Sequence, residues 1–211
     1  MIQYLTTRQL NAFPLLRDTM FRDRAWQFHE RLRWDVQVDE NGHERDQYDA
    51  LEPLYVVWQR PDGTHGGSMR FLPTTGRCMV NEHFLHLTGG RQINSAQIWE
   101  CTRFCIAPGS SPDVSAALML AGGEILQNMR LRQFVGVFDA LMVRVYSRIG
   151  ALPEVLGGIG QGRERISVGL WSFTGEAHQR LIEHSGISAR QSRDWFDMAF
   201  ADTRVALPLS A

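Results

Sequence analysis

The chain has 211 residues, is 44% hydrophobic and 21% charged, and carries a net charge of −1 with a pI near 6.7, a composition that suits a globular fold with a sizeable core. It excludes a membrane-spanning segment, because no run of about 18 apolar residues exists, a nucleic-acid partner held by bulk positive charge and, with only 3 cysteines, a disulfide framework. All 22 basic residues are arginine, so chemistry that needs a lysine, whether a Schiff base or a P-loop, is excluded too.

The stretch MIQYLTTRQL lacks a basic region followed by an apolar run, so no secretory signal is read there and a cytoplasmic protein is expected. No linker or charge run divides the chain, which predicts one domain over 1–211. Leu10, Phe13, Leu16, Met20 and Phe21 recur near the helical period and predict a helix from Thr7 to about Phe28. Residues 35–50, DVQVDENGHERDQYDA, are polar, acidic and turn-rich, and read as a loop that orders on demand. LYVVWQ (54–59) reads as a strand, PDG (61–63) as a hairpin turn, GGSMRFLP (66–73) as the returning strand and 76–81 as a further short strand. IWECTRFCI (98–106) follows as an interior strand, ended by Pro108 and Gly109. Pro112 suits a first helical position, and a helix-period apolar set runs from Val114 to Leu131. Residues 133–139 and 164–173 read as strands, 140–150 as a helix ended by glycine, and Glu176 to Phe200 as two short helices. A strand meander followed by alternating strands and helices predicts an α/β fold, a three-layer mixed sheet with helices on both faces.

The interior strand poses a problem. Side chains alternate, so Ile98, Glu100, Thr102, Phe104 and Ile106 share one side, and Trp99, Cys101, Arg103 and Cys105 the other. Each side then carries a charge that is costly to bury unpaired, and Arg70 in GSMRFLP is a third. The simplest account is an ion-pair network joining Arg70 and Arg103 to Glu100 or to Asp46 and Asp49 of RDQYD, either purely structural or part of a site. Asp46 and Asp49 lie three apart, as a helix cap or as a carboxylate pair gripping an amine or a sulfonium would. No histidine or cysteine neighbours them at ligand spacing, which weakens a metal reading. In FRDRAWQFHERLRWD, Arg24 and Phe28 are four apart with Trp34 at the exit. They form either a solvated arginine edge or an aromatic pair enclosing a planar or cationic ligand. GGIGQG (157–162) does not fit the dinucleotide pattern, and Cys101 and Cys105 read as buried thiols on one strand face.

The array of Arg24, Phe28, Trp34, Asp46, Asp49, Arg70, Glu100 and Arg103 resembles the invariant set of the LuxI-type acyl-homoserine lactone synthases, the autoinducer synthases. R-x-x-x-F-x-x-x-x-x-W, D-x-x-D, S-M-R-F and E-x-x-R-F appear in family order across roughly residues 20–150. The resemblance implies an acetyltransferase-like (GNAT-like) N-acyltransferase that makes a quorum-sensing signal. Its substrates would be S-adenosylmethionine and an acyl thioester of acyl carrier protein, with no cofactor. The methionyl amine attacks the thioester, and the methionyl carboxylate then closes the lactone with release of methylthioadenosine. On this resemblance Glu100 accepts the amine proton directly or through water, and Arg70 and Arg103 position Glu100 and the aspartates. Arg24, Phe28, Trp34, Asp46 and Asp49 hold S-adenosylmethionine. A bulge between Glu100 and Arg103 would let both reach one cleft.

Thr102 stands where the family usually has serine, a mild departure, since its hydroxyl would still hydrogen-bond in the acyl cleft as an acyl-binding residue. Trp99, Phe104, Leu118, Met119, Met142 and Tyr146 serve equally as acyl channel or plain core. The stretch PGSSPDVSAALMLAGG lacks the Q/R-x-x-G-x-G/A loop with which coenzyme A enzymes hold a pyrophosphate, and this favours the carrier protein over acyl-coenzyme A. An acidic carrier calls for basic docking residues; Arg130, Arg132, Arg144 and Arg148 are candidates, of which Arg144 and Arg148 share a helix face, though all four also suit a solvated fringe. The competing readings are an acyl-coenzyme A-dependent N-acyltransferase of the same fold acting on another amine, and a non-catalytic module that holds a nucleoside or an acyl chain.

Overall fold

A computed structural model describes residues 1–204; the single-domain expectation over 1–211 also takes in 205–211, which lie outside the described residues. The chain opens with a strand the sequence did not reveal, β1 (Ile2–Thr6), paired antiparallel with β2 (Leu54–Gln59). The helix expected from Thr7 to Phe28 is broken into three pieces. A capping box at Thr6 and Gln9 starts α1 (Thr7–Leu10), and Pro14 begins α2 (Pro14–Arg24). Proline supplies no N–H to a preceding turn and pushes Phe13 out of helical geometry, to φ −118 and ψ 71, so a continuous helix is impossible there. The third piece is a π-helical segment (Ala25–Arg31), whose wider turns re-aim the side chains that follow Arg24.

β3 (His65–Pro73) returns beside β2 and pairs with β4 (Ile98–Ile106) on its other edge. Both edges of β3 are therefore taken, and the strand expected at 76–81 has no partner; a turn and α3 (Met79–His83) stand there instead. After β4 come α4 (Asp113–Asn128), β5 (Gln133–Asp139) and α5 (Ala140–Ile149), which closes on Gly150 with φ +73. A further strand, β6 (Glu154–Ile159), precedes β7 (Ile166–Trp171), and α6 (Gly175–Ser185) and α7 (Ala189–Arg204) complete the described chain. β6 escaped notice because its two glycines and the adjacent Pro153 mimic a loop.

The seven strands run in the order β1-β2-β3-β4-β5-β7-β6. Every neighbouring pair is antiparallel except β4 and β5, which run parallel over three positions, ending at Glu100 and Val135. Beyond Glu100 these two central strands part. One face of the sheet packs Met69, Phe71 and Phe134 against Ala117, Leu118 and Ala121 of α4, together with residues of α5, α6 and α7. The other face packs Tyr55 and Val57 under α1 and α2, and Val135 and Val168 under Cys78 and Val80 at α3.

The register of β3 against β4 slips, with Arg70 opposite Thr102 but Ser68 opposite Cys105. Arg103 and Phe104 thus share the space opposite Met69, and Arg103 takes φ +53, the left-handed region that a side chain enters only when its surroundings impose it. The bulge inverts the alternation. Trp99 and Cys101 face α4 before it, and Phe104 and Ile106 face α4 after it. Glu100, Thr102, Arg103 and Cys105 turn toward α2 and α3, where Glu100 meets Met79 and Val80, Arg103 meets Glu44, and Cys105 lies beside Asp23 and Arg24. Cys101 and Cys105 therefore do not share a face, contrary to strict alternation.

Candidate active site

Three arginines converge on three carboxylates under α2. Arg24 is 1% exposed and forks onto Asp49 with two 3.0 Å bonds, while its Nε donates to Glu44 at 2.6 Å. Arg70 donates to Asp46 at 2.5 and 2.9 Å, to Asp49 at 2.9 Å and to Thr102 Oγ1 at 3.1 Å. Arg103 holds Glu44 at 2.9 Å and Asp46 at 2.8 Å. Charges buried this deeply persist because each has a partner of opposite sign and bidentate geometry. Burial opposes ionisation of Asp49, yet Arg24, Arg70 and the Tyr55 hydroxyl hold it well below the usual carboxylate range. Asp46 is likewise lowered against its burial, chiefly by Arg70.

Glu44 is the member that sequence reasoning missed. It lies in the acidic loop, is fully buried, and its backbone N–H is fixed to the Phe21 carbonyl at 3.1 Å. Of the contacts expected of Arg70 and Arg103, those with the aspartates are present, Arg70 on Asp46 and Asp49 and Arg103 on Asp46, whereas neither arginine bonds Glu100 and Arg103 turns to Glu44. Glu100 is instead held by backbone, accepting from the N–H of Met79 at 2.9 Å and of Val80 at 2.5 Å. It is 1% exposed, and burial pushes its carboxyl up to about 7 while the two amides and Arg70 pull the other way. A carboxyl half-ionised near neutrality suits a proton acceptor.

Where β4 and β5 part, a cavity of about 1310 Å³ opens and reaches both faces of the sheet. Pockets for one small ligand span roughly 300–1,000 Å³, so this one has room for two ligands at once. Its polar end is walled by Phe28, Trp34, Glu44, Asp46, Thr102 and Arg103. The Phe28 and Trp34 rings stack at 5.1 Å with 19° between planes, and the Arg103 guanidinium lies over Phe28 at 5.4 Å. The apolar end is walled by Phe104, Met119, Gly122, Phe134, Met142 and Tyr146. Asp49, Arg24, Arg70 and Glu100 do not line the cavity; they form the layer behind it. Trp99 and Leu118, read equally as acyl channel or core, do not line the cavity: Leu118 is fully buried and Trp99 packs against the same cluster. Arg144 and Arg148 are exposed on α5, and Arg130 and Arg132 are exposed between α4 and β5. Among the described residues no cluster of histidine, cysteine or carboxylate side chains can hold a metal, and no helix is long and apolar enough to cross a membrane.

Comparison with known proteins agrees with this architecture. The family model described as autoinducer synthase matches residues 11–181. An acyl-homoserine-lactone synthase of Rhizobium etli is 38% identical over 183 residues, which cover 83% of this chain and 86% of that protein. One from Ralstonia nicotianae is 33% identical over 139 residues, covering 62% of this chain and 68% of its own. Among solved structures, the acyl-homoserine-lactone synthase LasI superposes with a TM-score of 0.75 at 28% identity, covering 87% of this chain and 94% of LasI. MesI, described as a CoA-dependent acyl-homoserine lactone synthase, superposes with a TM-score of 0.76 at 26% identity, covering 90% and 97%. The chain belongs to the autoinducer synthase family and is an acyltransferase of the acyl-homoserine-lactone synthase type.

Proposed function

We propose that this chain joins S-adenosylmethionine to an acyl group carried by acyl carrier protein and releases an acyl-homoserine lactone and methylthioadenosine. The observation that carries this reading is one cavity with two unlike ends, polar beside Glu44, Asp46 and Arg103 and apolar beside Phe104, Met119 and Met142, with Glu100 one layer behind its wall. S-adenosylmethionine brings a sulfonium, an amine, a carboxylate and a flat base. The Phe28–Trp34 stack suits the base or the sulfonium. Of the six network charges, Glu44, Asp46 and Arg103 face the cavity, one net negative charge toward a ligand that is net positive with its amine protonated. Arg103 suits the carboxylate. Arg24, Arg70 and Asp49 brace these three from behind.

The amine becomes a nucleophile when it loses a proton, and Glu100 receives it. Because Glu100 lies one layer behind the wall, the proton travels through a bridging water. The new C–N bond forms as the thioester C–S bond breaks, and the carrier thiol leaves with the electron pair. The methionyl carboxylate oxygen then attacks the carbon next to the sulfonium; that C–S bond breaks and methylthioadenosine departs. The acyl chain occupies the apolar end, among Phe104, Met119, Met142 and Tyr146.

A second reading takes acyl-coenzyme A as donor, as the description of MesI states for that protein. The turn before α4 speaks against it. Helix α4 is capped by Pro112 and carries Asp113 in its first turn, which repels a pyrophosphate, and Arg60 is committed to the Pro108 carbonyl and Ser110 at 2.8 Å. Arg144 and Arg148 on α5 supply the basic face an acidic carrier needs. The expected outcome is kcat/KM at least tenfold higher for the carrier thioester than for the matching coenzyme A thioester, with the lactone identified by mass spectrometry. In the Arg144→Glu/Arg148→Glu double variant KM for the carrier rises several-fold while that for S-adenosylmethionine does not. Equal use of both donors, with KM unmoved, overturns the carrier assignment.

A further inference from the structure

The grip on Glu100 comes from a segment with few anchors of its own. Its two donors are the first N–H groups of α3, a helix of only 5 residues. Asn81 ties that helix to Ile93 through two bonds, of 2.8 and 2.9 Å. On the side of the charged network a second tie exists. Glu82, at the far end of α3, accepts from the buried Tyr48 hydroxyl at 2.9 Å and is forked by Arg77 at 2.7 and 2.9 Å. Tyr48 in turn belongs to the aspartate turn: its N–H donates to Asp46 Oδ1 at 2.9 Å and its ring lies beneath the Arg70 guanidinium at 5.5 Å. Arg77 also lies over the Tyr48 ring, at 5.9 Å. These residues line up the aspartate turn, α3 and the carboxylate of Glu100 in one chain of contacts.

We propose that Tyr48, Glu82 and Arg77 form a latch that presses α3 against the aspartate turn and thereby fixes the Met79 and Val80 amides on the Glu100 carboxylate. All three are positioning residues. The inference rests on the reading of Glu100 as proton acceptor for its functional consequence, but the latch itself concerns only where the amides sit. An isolated exposed Arg–Glu pair contributes little; this one gains a third bond from the hydroxyl of Tyr48, a residue 2% exposed whose packed ring fixes the geometry. Arginine and tyrosine together hold the Glu82 carboxyl at about 2, so the latch is closed across the neutral range. The groups that face Glu100 from the surrounding elements are Arg70 on β3, Asp46 and Tyr48 on the turn and Cys78 before α3, while its neighbour Cys101 turns to the opposite face of β4. Opening the latch leaves all of these charges in place except through α3, so its effect on Glu100 reports the amide bonds.

The test is a carbon-13 NMR titration of the glutamate carboxylates in the full chain, with the Glu100 signal assigned by its loss in Glu100→Gln. Tyr48→Phe keeps the buried ring, and Glu82→Ala alters an exposed side chain, so both variants fold. Amide bonds favour the ionised carboxylate, so each variant raises the Glu100 midpoint above about 7, by roughly half a unit to one unit. The double variant raises it no further. The acid limb of kcat/KM moves by the same amount, whereas Arg190→Ala, which removes an exposed pair on α7, moves neither. A Glu100 midpoint unchanged in both single variants overturns the latch. A midpoint that shifts while the rate profile stays put leaves the latch standing and removes Glu100 as the proton acceptor.

Discussion

The two faces of the sheet solve opposite problems with the same strand. Toward α4, β4 presents Cys101, Phe104 and Ile106 to a continuous apolar core. Toward α2 it presents Glu100, Thr102 and Arg103 to buried charge. A regular strand gives each face every second residue, and Arg103 would then lie in the apolar core. One bulge at Arg103 moves the charge across and keeps Phe104 on the acyl side. Burial means different things on the two sides: on the apolar face it stabilises through area removed from water, whereas on the charged face it holds groups in fixed orientation at a desolvation cost that only exact pairing offsets.

That contrast can be broken first at its most expensive point. Arg24→Met leaves Glu44 and Asp49 each short of a partner in the interior. Removing one member of a buried pair costs about 3–5 kcal/mol, and urea denaturation at neutral pH measures it. The loss shrinks as pH falls through the usual carboxylate range. The folded-state Asp49 carboxyl is held far below that range, so its contribution is present at neutral pH and fades on acidification. A neutral-pH loss under 1 kcal/mol would show that the network carries little of the fold.

Next in size is Glu100→Gln. The side chain keeps its shape and one acceptor for the α3 amides, so the melting temperature stays within a few degrees, while kcat falls by about 10²–10⁴. In the parent chain kcat/KM should drop tenfold per unit below a midpoint near 7, since a base works only when ionised and burial raises Glu100 to about 7. The sign for stability is the reverse: the Glu100 carboxyl favours the fold below its ordinary range, and this is lost as pH rises through about 7. Near-normal turnover in Glu100→Gln would assign the proton to another group.

The smallest effect belongs to the apolar face. A methyl on Gly122 would meet Phe134 at 3.4 Å and the Met69 terminus at 3.7 Å, ordinary contact distances, at a point where the helix lines the cavity. Gly122→Ala should leave stability equal or raise it by roughly 0.4–1 kcal/mol and lower kcat/KM for long acyl chains several-fold more than for short ones. An equal loss on all chain lengths would place the acyl group elsewhere.

Much of this architecture was legible. The runs 54–59, 98–106 and 133–139 matched strands because each is a short apolar run too brief for a helix, and Pro53, Pro61, Pro108 and Gly109 punctuate the first two. β1 was hidden by the helical pattern that follows it, β6 by its glycines, and the Pro14 break by apolar spacing that runs through it. In the site, Phe28, Trp34, Asp46 and Arg103 line one cleft, and Arg24, Asp49, Arg70 and Glu100 stand in the layer behind it. Glu44 was not seen, because an acidic residue in a polar loop looks solvated until Arg24 and Arg103, distant in sequence, are known to close over it. The count that exposes it needs the structure: three arginines turn inward, backbone amides hold Glu100, and Glu44, two residues before Asp46, joins the two aspartates as the third carboxylate.

The division of labour between the faces is tested most directly by titration calorimetry with S-adenosylmethionine alone. Binding to the parent chain should weaken at least tenfold in Trp34→Ala, which removes half of the 5.1 Å ring stack, and stay within twofold in Met142→Ala at the apolar end. No heat of binding in the folded parent chain, or equal losses in the two variants, would contradict the account.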